Sequence, residues 1–364
     1  MSKKNLFFVL IVFLILPSLM AQPSRRVPFV ELVNNNDGTY SFQGKLFTGV
    51  SLLLYPDNKK WQEVDWKNGK IDGMFRSWYP TAAKEQEIEY SNGKRNGTYK
   101  SWYSNGAPEE ICSYKNGEKH GIYTSYYSNG GPRKRVQYEN GKENGELILW
   151  FENGKKEQTA TFKDGLPNGV VTSYTEEGAK RKEVTYKNGL RDGISTIYHS
   201  SGVVGETAFY KDGYPDGPKI TYSQESKKIR EENYKNGKPH GVWINYYFDE
   251  TKIEEAHYQN GELHGKYTKW VDKILDTQGE YVNGKKEGPW IEEASNDKTK
   301  CAGNYKNGHK DGKWVIGSSR LFGKAEGSFK EGLKDGKWIV YDYKGKKYRT
   351  EEWDNGKLIS YNEE

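Results

Sequence analysis

From Trp66 onward, short runs of the chain alternate apolar and polar positions, and the alternation recurs at a fixed interval. The pairs Ile88/Tyr90, Cys112/Tyr114, Val136/Tyr138, Ala160/Phe162, Val184/Tyr186, Ala208/Tyr210 and Ala256/Tyr258 place apolar residues two apart, with mostly polar residues between them. A period of two predicts a half-buried β-strand. Each pair is followed by Asn-Gly or Asp-Gly, the dipeptides suited to a type I′ turn because both central residues need positive φ. The turn glycines are Gly69, Gly93, Gly117, Gly141, Gly165, Gly189, Gly213, Gly237, Gly261, Gly284, Gly308, Gly332 and Gly356, with a step of 24 residues in eleven of twelve intervals. In the first twelve cases a second glycine follows four residues later, from Gly73 to Gly336. Such a register identifies a repeat array.

Each unit is numbered here from its opening aromatic as place one: Trp66, Tyr90, Tyr114 and so on to Trp353. The turn glycine is then place four. The second glycine, place eight, is expected to open the first strand, which runs to an aromatic pair at places thirteen and fourteen such as Trp102-Tyr103. A second turn, explicit at Asn105-Gly106, leads into the second strand and the next unit. The predicted fold is all-β, an elongated antiparallel sheet of tandem 24-residue hairpins in a solenoid-type array, with no helix in the repeats. One unit, opening at Tyr258, has 23 residues, so a bulge or tightened turn is expected between 271 and 280.

The ends depart from the repeat. Lys3 and Lys4 precede the apolar run Leu6–Leu16, then Pro17, Ser18 and the small Ala21. Residues 1–21 therefore read as a secretion signal, and the mature chain is expected to be exported to the periplasm, the outer surface or the medium. Residues 22–28 form a linker and 29–65 an N-terminal cap with a looser repeat at Gly44 and Gly49. Residues 66–352 form twelve repeats and 353–364 a partial one. The formal charge of +6 has both signs interspersed. No concentrated basic patch points to nucleic acid.

Candidate chemistry is sparse. No H-E-x-x-H, C-x-x-C or G-x-S-x-G is present, so no catalytic, metal or cofactor site is expected. His120, His240 and His264, at place seven, read as exposed turn residues. The aromatics at place ten invite a second reading beside sheet packing. Tyr99, Tyr123, Trp243, Tyr267, Trp290, Trp314 and Trp338 would form a row able to stack on a sugar, a cell-wall polymer or an extended peptide. The lysines near the first turns, such as Lys115 and Lys187, could face an anionic lipid surface.

The run Tyr114-Lys115-Asn116-Gly117, Gly121 and Tyr126-Tyr127-Ser128-Asn129-Gly130, with its equivalents in the other units, resembles the MORN-repeat variant of bacterial YwqK-like proteins. The resemblance covers roughly residues 36–357. It implies an extended sheet of hairpins and a scaffold rather than an enzyme. Many members are labelled antitoxins, and MORN proteins more broadly are regarded as scaffolds and sometimes phospholipid binders. Here the Gly-x-Gly of standard MORN repeats is mostly missing. A protein-binding scaffold is the first expectation. Carbohydrate or cell-wall binding and an antitoxin or immunity role are the alternatives.

Overall fold

A computed structural model describes residues 25–293, 300–317 and 323–364. The expected signal segment, 1–21, lies outside the described residues. The chain divides into two compact units, 1–130 and 131–364. Both are built from antiparallel hairpins, and no α-helix occurs among the described residues.

Each repeat is one hairpin, as the alternation predicts. Lys60–Lys67 turns through Asn68-Gly69 into Lys70–Trp78, with φ of 49° and 79° at the two turn residues. The turns before Gly93, Gly117, Gly141, Gly165, Gly189, Gly213, Gly237, Gly261, Gly284, Gly308 and Gly332 repeat this left-handed pair. The second turn differs: Tyr79 N bonds Ala83 O at 2.9 Å, and only Ala82, φ 67°, is left-handed. Gly106, Gly154 and Gly202 occupy the equivalent position, which explains why glycine recurs there without a type I′ geometry.

The second glycine does not usually open the strand. Lys70–Trp78 begins three residues before Gly73, which sits at φ 115° beside a register shift between Val64 and Trp66. Place eight is therefore a bulge inside a strand. Only in the units opening at Phe162 and Tyr234 does the strand restart at that glycine, as Gly169–Tyr174 and Gly241–Tyr246. In the 23-residue unit the second turn tightens to Asp272-Lys273, both at positive φ, which absorbs the missing residue.

Neighbouring repeats are stitched at their first turns. Gly93 N donates to Ile71 O at 2.8 Å, and Gly189 N, Gly237 N and Gly308 N each make the same bond to the unit before their own. The place-seven side chain adds a second stitch: Asp72 accepts from Asn92 N at 3.0 Å, Asp216 from Asn236 N at 3.3 Å and Glu287 from Asn307 N at 2.8 Å. At the other edge the place-fourteen tyrosine reaches forward, Tyr79 OH to Trp102 O and Tyr103 OH to Tyr126 O, both at 2.8 Å.

The cap in unit 1–130 has its own small core of Val27, Phe47, Val64 and Trp66. The segment expected to be a linker ends in a strand. Arg26–Pro28 pairs parallel with Gly49–Leu54, because Val27 is drawn into that core and its main chain covers the strand edge. The looser repeat at Gly44 closes a three-stranded sheet, with Gln43-Gly44 in the left-handed pair.

Candidate functional site

The two faces of the sheet differ in kind. On one face, places ten and twenty-three of successive strands sit opposite each other and form a ladder. In unit 1–130 it reads Val64, Phe75, Ile88, Tyr99, Cys112. In unit 131–364 Val136 faces Leu147 and Leu147 faces Ala160. Further on, Trp290 faces Gly303, and Trp314 faces Gly327. Every sequence-predicted aromatic lies on this ladder.

Its position decides what these rings can do. Tyr123 is 8% exposed, Trp290 1%, Trp314 2% and Trp338 0%, so these four offer no open ring face to a ligand. Tyr99, Trp243 and Tyr267 are half-buried. The tryptophans pack into spaces left by missing side chains: a Cβ on Gly279, Gly303 or Gly327 would lie 2.1–2.2 Å from the nearest atom of Trp290, Trp314 or Trp338. Their indole N–H groups are satisfied by backbone, Trp314 Nε1 to Asn304 O at 2.9 Å and Trp338 Nε1 to Ser328 O at 3.1 Å. Cations at place six cover what remains: Lys310 Nζ is 4.2 Å from the Trp314 ring centre, and Lys334 Nζ is 4.4 and 4.5 Å from those of Trp338 and Trp353. Burial and the Glu254 carboxylate, which accepts from the Tyr267 hydroxyl at 2.8 Å, push that phenol far above its usual range. These rings are the core of a thin sheet.

The ladder turns polar in the middle of unit 131–364. Ser195 and Lys219 replace the aromatic, and Glu232 replaces the small apolar residue. Lys219 Nζ lies 3.2 Å from Glu206 and 3.7 Å from Glu232, which is only 5% exposed. Burial opposes the Lys219 charge, but Glu206 and Glu232 outweigh it and raise the ammonium pKa.

The opposite face changes in the reverse sense at the same repeats. In unit 1–130 its cross-strand row is charged and alternating: Glu63 faces Arg76, Arg76 faces Glu87, Glu87 faces Lys100. In unit 131–364 the same row reads Thr159 against Thr172, Thr196 against Thr207, and Thr207 against Ile220. Beside it Val170 is 50% exposed, Ile194 48% and Phe209 39%, with Ile194 directly opposite Phe209. Glu183 and Glu231 interrupt this panel, each paired with a lysine three residues earlier: Lys180 at 2.7 Å, and Lys228. The accessible apolar surface therefore lies at places nine and twenty-four, which the sequence reading passed over. Residues 159–244 are as highly charged as the rest of the chain, so this row shows itself only once the strands are paired.

The place-thirteen aromatics also belong to the opposite face and are half-buried; Trp78 and Trp102 carry Lys60 and Lys84 at 5.2 and 5.5 Å from their ring centres. The place-seven histidines are half-buried rather than exposed, because that position points toward the next turn: His264 Nδ1 lies 3.4 Å from Asn283 N. No cluster of three or more possible metal ligands occurs among the described residues.

Four consecutive stretches, residues 95–116, 119–140, 143–164 and 167–188, match the family model of the MORN repeat variant. They are four tandem MORN-variant repeats. No curated protein matches the chain. Among solved structures, the Photorhabdus luminescens Tc holotoxin pore aligns over 87% of this chain and 18% of its own, at 8% identity and a TM-score of 0.17. The TcdB2-TccC3-TEV structure aligns over 84% and 18%, at 8% identity and a TM-score of 0.16. The chain thus spans about a fifth of the length of these structures, and scores this low carry no functional meaning.

Proposed function

We propose that these MORN-variant repeats form a non-enzymatic scaffold, exported as the N-terminal sequence suggests, that binds a protein partner along its sheet. Membership of the YwqK-like group fits the hairpin pattern outside the four matched repeats. The observation that carries the reading is the panel centred on Ile194 and Phe209, both exposed, rich in β-branched residues and interrupted by Glu183 and Glu231, each paired with a lysine. Exposed apolar area of this kind, rimmed by charge, is a mark of protein contact surfaces. A glycan platform built on the place-ten rings loses support from their burial.

The test is affinity capture from an envelope fraction with the wild-type chain and with Ile194→Lys/Phe209→Lys. Both positions are solvent-facing, so the fold is retained, as circular dichroism would verify. The reading expects a protein bound by the first and lost by the second. Equal capture by both would remove the panel from the account.

A further inference from the structure

Place seven is where one repeat takes hold of the next. All twelve repeats carry Asp, Asn, Glu or His there, side chains that can accept a hydrogen bond. Beside the carboxylates of Asp72, Asp216 and Glu287, Asn96 and Asn168 accept through their amide oxygens, from Asn116 N at 3.3 Å and Asn188 N at 3.2 Å. An oxygen acceptor of either kind keeps a lone pair in mild acid. His264 is different. Its acceptor for Asn283 N, at 3.4 Å, is Nδ1, and an imidazole nitrogen accepts only while it carries no proton. The neutral ring must therefore hold its hydrogen on Nε2. A second proton turns Nδ1 into a donor and sets it against the very donor it was holding.

We infer that His264 is an acid-sensitive latch on the first-turn edge of unit 131–364. Neutral, it holds the turn Asn283-Gly284; protonated, it lets the Asn283 amide go. Imidazole is the side chain that ordinarily takes up its proton between about pH 8 and 5, above the range in which carboxylates do so. The bond exists only with the neutral ring, so it is present at the upper end of that window and lost as pH falls through it. The release is local. Gly284 N remains bonded to Leu263 O at 2.8 Å, so acid loosens one turn without parting the repeats.

The surroundings give the second proton no better partner. The ionisable groups on the strands about His264 are Glu262 and Lys266 on its own strand, His257 on the strand before, Glu280 opposite Lys266, and Lys285 and Glu287 on the next hairpin. Among the described residues none of these carboxylates forms an ion pair with His264, and Glu287 already accepts from Asn307 N at 2.8 Å. His257, packed beside Gly265, behaves in the opposite sense: its Nε2 lies 3.6 Å from Glu255, so a proton there strengthens a contact instead of breaking one. One repeat earlier, His240 at place seven also keeps its Nδ1 buried, with no hydrogen bond among the described residues. Two adjacent repeats thus carry a titratable ring where their neighbours carry Asp216 and Glu287.

Two measurements on the full chain test the latch. In the NMR spectrum of the chain labelled with nitrogen-15 histidine, the signals missing from His264→Asn identify this ring. At about pH 7.5 they should report the Nε2–H form. In native-state hydrogen exchange, with each rate divided by the chemical rate at the same pH, the Asn283 amide should be about five- to tenfold less protected at about pH 5 than at about pH 7.5, the factor for one ordinary hydrogen bond. The Gly284 and Asn307 amides should hold their protection. His264→Asn installs the acceptor already used at Asn96 and Asn168, so it should keep Asn283 protected at both pH values. His257→Gln should leave the wild-type response in place. An Nδ1–H ring at the higher pH overturns the inference, as does protection of Asn283 that does not change with pH. A response that survives in His264→Asn, or disappears in His257→Gln, overturns it as well.

Discussion

Gly303→Ala isolates the packing rule of the tryptophan repeats. Gly303 lies outside the left-handed region, so alanine is acceptable to the backbone and by itself adds roughly 0.5–1 kcal/mol of strand stability. The new methyl would however lie 2.2, 2.3 and 2.4 Å from Cδ2, Cε2 and Cγ of Trp314. A buried indole held by Asn304 O and Lys310 has no free direction in which to withdraw. Overpacking of this kind costs about 1–3 kcal/mol, so the net loss should be about 1–2 kcal/mol. Trp314→Leu alone removes ring volume and should cost about 2–4 kcal/mol. Together they recreate the Leu147–Ala160 pairing found elsewhere on the ladder, so the double variant should lose at least ~1 kcal/mol less than the sum of the two. An array of this type need not unfold in one step. The assay is therefore native-state hydrogen exchange at Lys300–Lys306, His309–Gly317 and Leu333–Tyr341. Unchanged protection in Gly303→Ala, or strict additivity in the double variant, would refute the steric origin of the tryptophan–glycine pairing.

Two further outcomes follow from the charged sites. Lys219→Met leaves buried Glu232 with Arg230, at 3.5 Å, as its remaining cation and should destabilise Val204–Lys211 and Lys228–Lys235 by about 1 kcal/mol, discounted because Lys219 is a third exposed. Adding Glu232→Leu should restore most of the exchange protection, and no restoration would mean that the pair is not what holds these strands. Lys180, then the Tyr198 hydroxyl, holds the Glu183 carboxyl below the usual glutamate range. Because its folded pKa is depressed, Glu183 stabilises the fold above its unfolded pKa and loses that contribution as pH falls through the folded value. Lys180→Met should move this loss to higher pH in an NMR titration of Glu183; an unmoved titration would sink the assignment.

The hairpins were legible in the sequence because their determinants are local. Asn188-Gly189 needs only its own left-handed geometry, and Val184/Tyr186 shows its face by alternation alone. Place eight differs from the expectation because a bulge is a matter of pairing register: Gly73 follows the shift between Val64 and Trp66 inside its own hairpin, which glycine spacing alone does not display. Whether the place-ten rings are open depends on neighbours in a similar way. Large rings at place ten suggested an accessible row. Yet whether Trp314 is open or buried depends on the absence of a side chain at Gly303, on the adjacent strand. The panel carries no aromatic motif at all, and it becomes visible only when residues from several repeats are placed side by side.

The first-turn stitches all point the same way. In each, an amide of the later repeat is given to an acceptor of the earlier one, as from Gly93 to Ile71 and from Asn92 to Asp72. A chain made from its N-terminus onward therefore finds each acceptor in place before the donor arrives. The cap core around Trp66 supplies a template at the outset. Assembly can then advance one hairpin at a time in the order of synthesis, with ring closures of about two dozen residues and no distant segment to await. The array has a temporal polarity as well as a spatial one. Within each unit, early repeats can serve as guides for late ones.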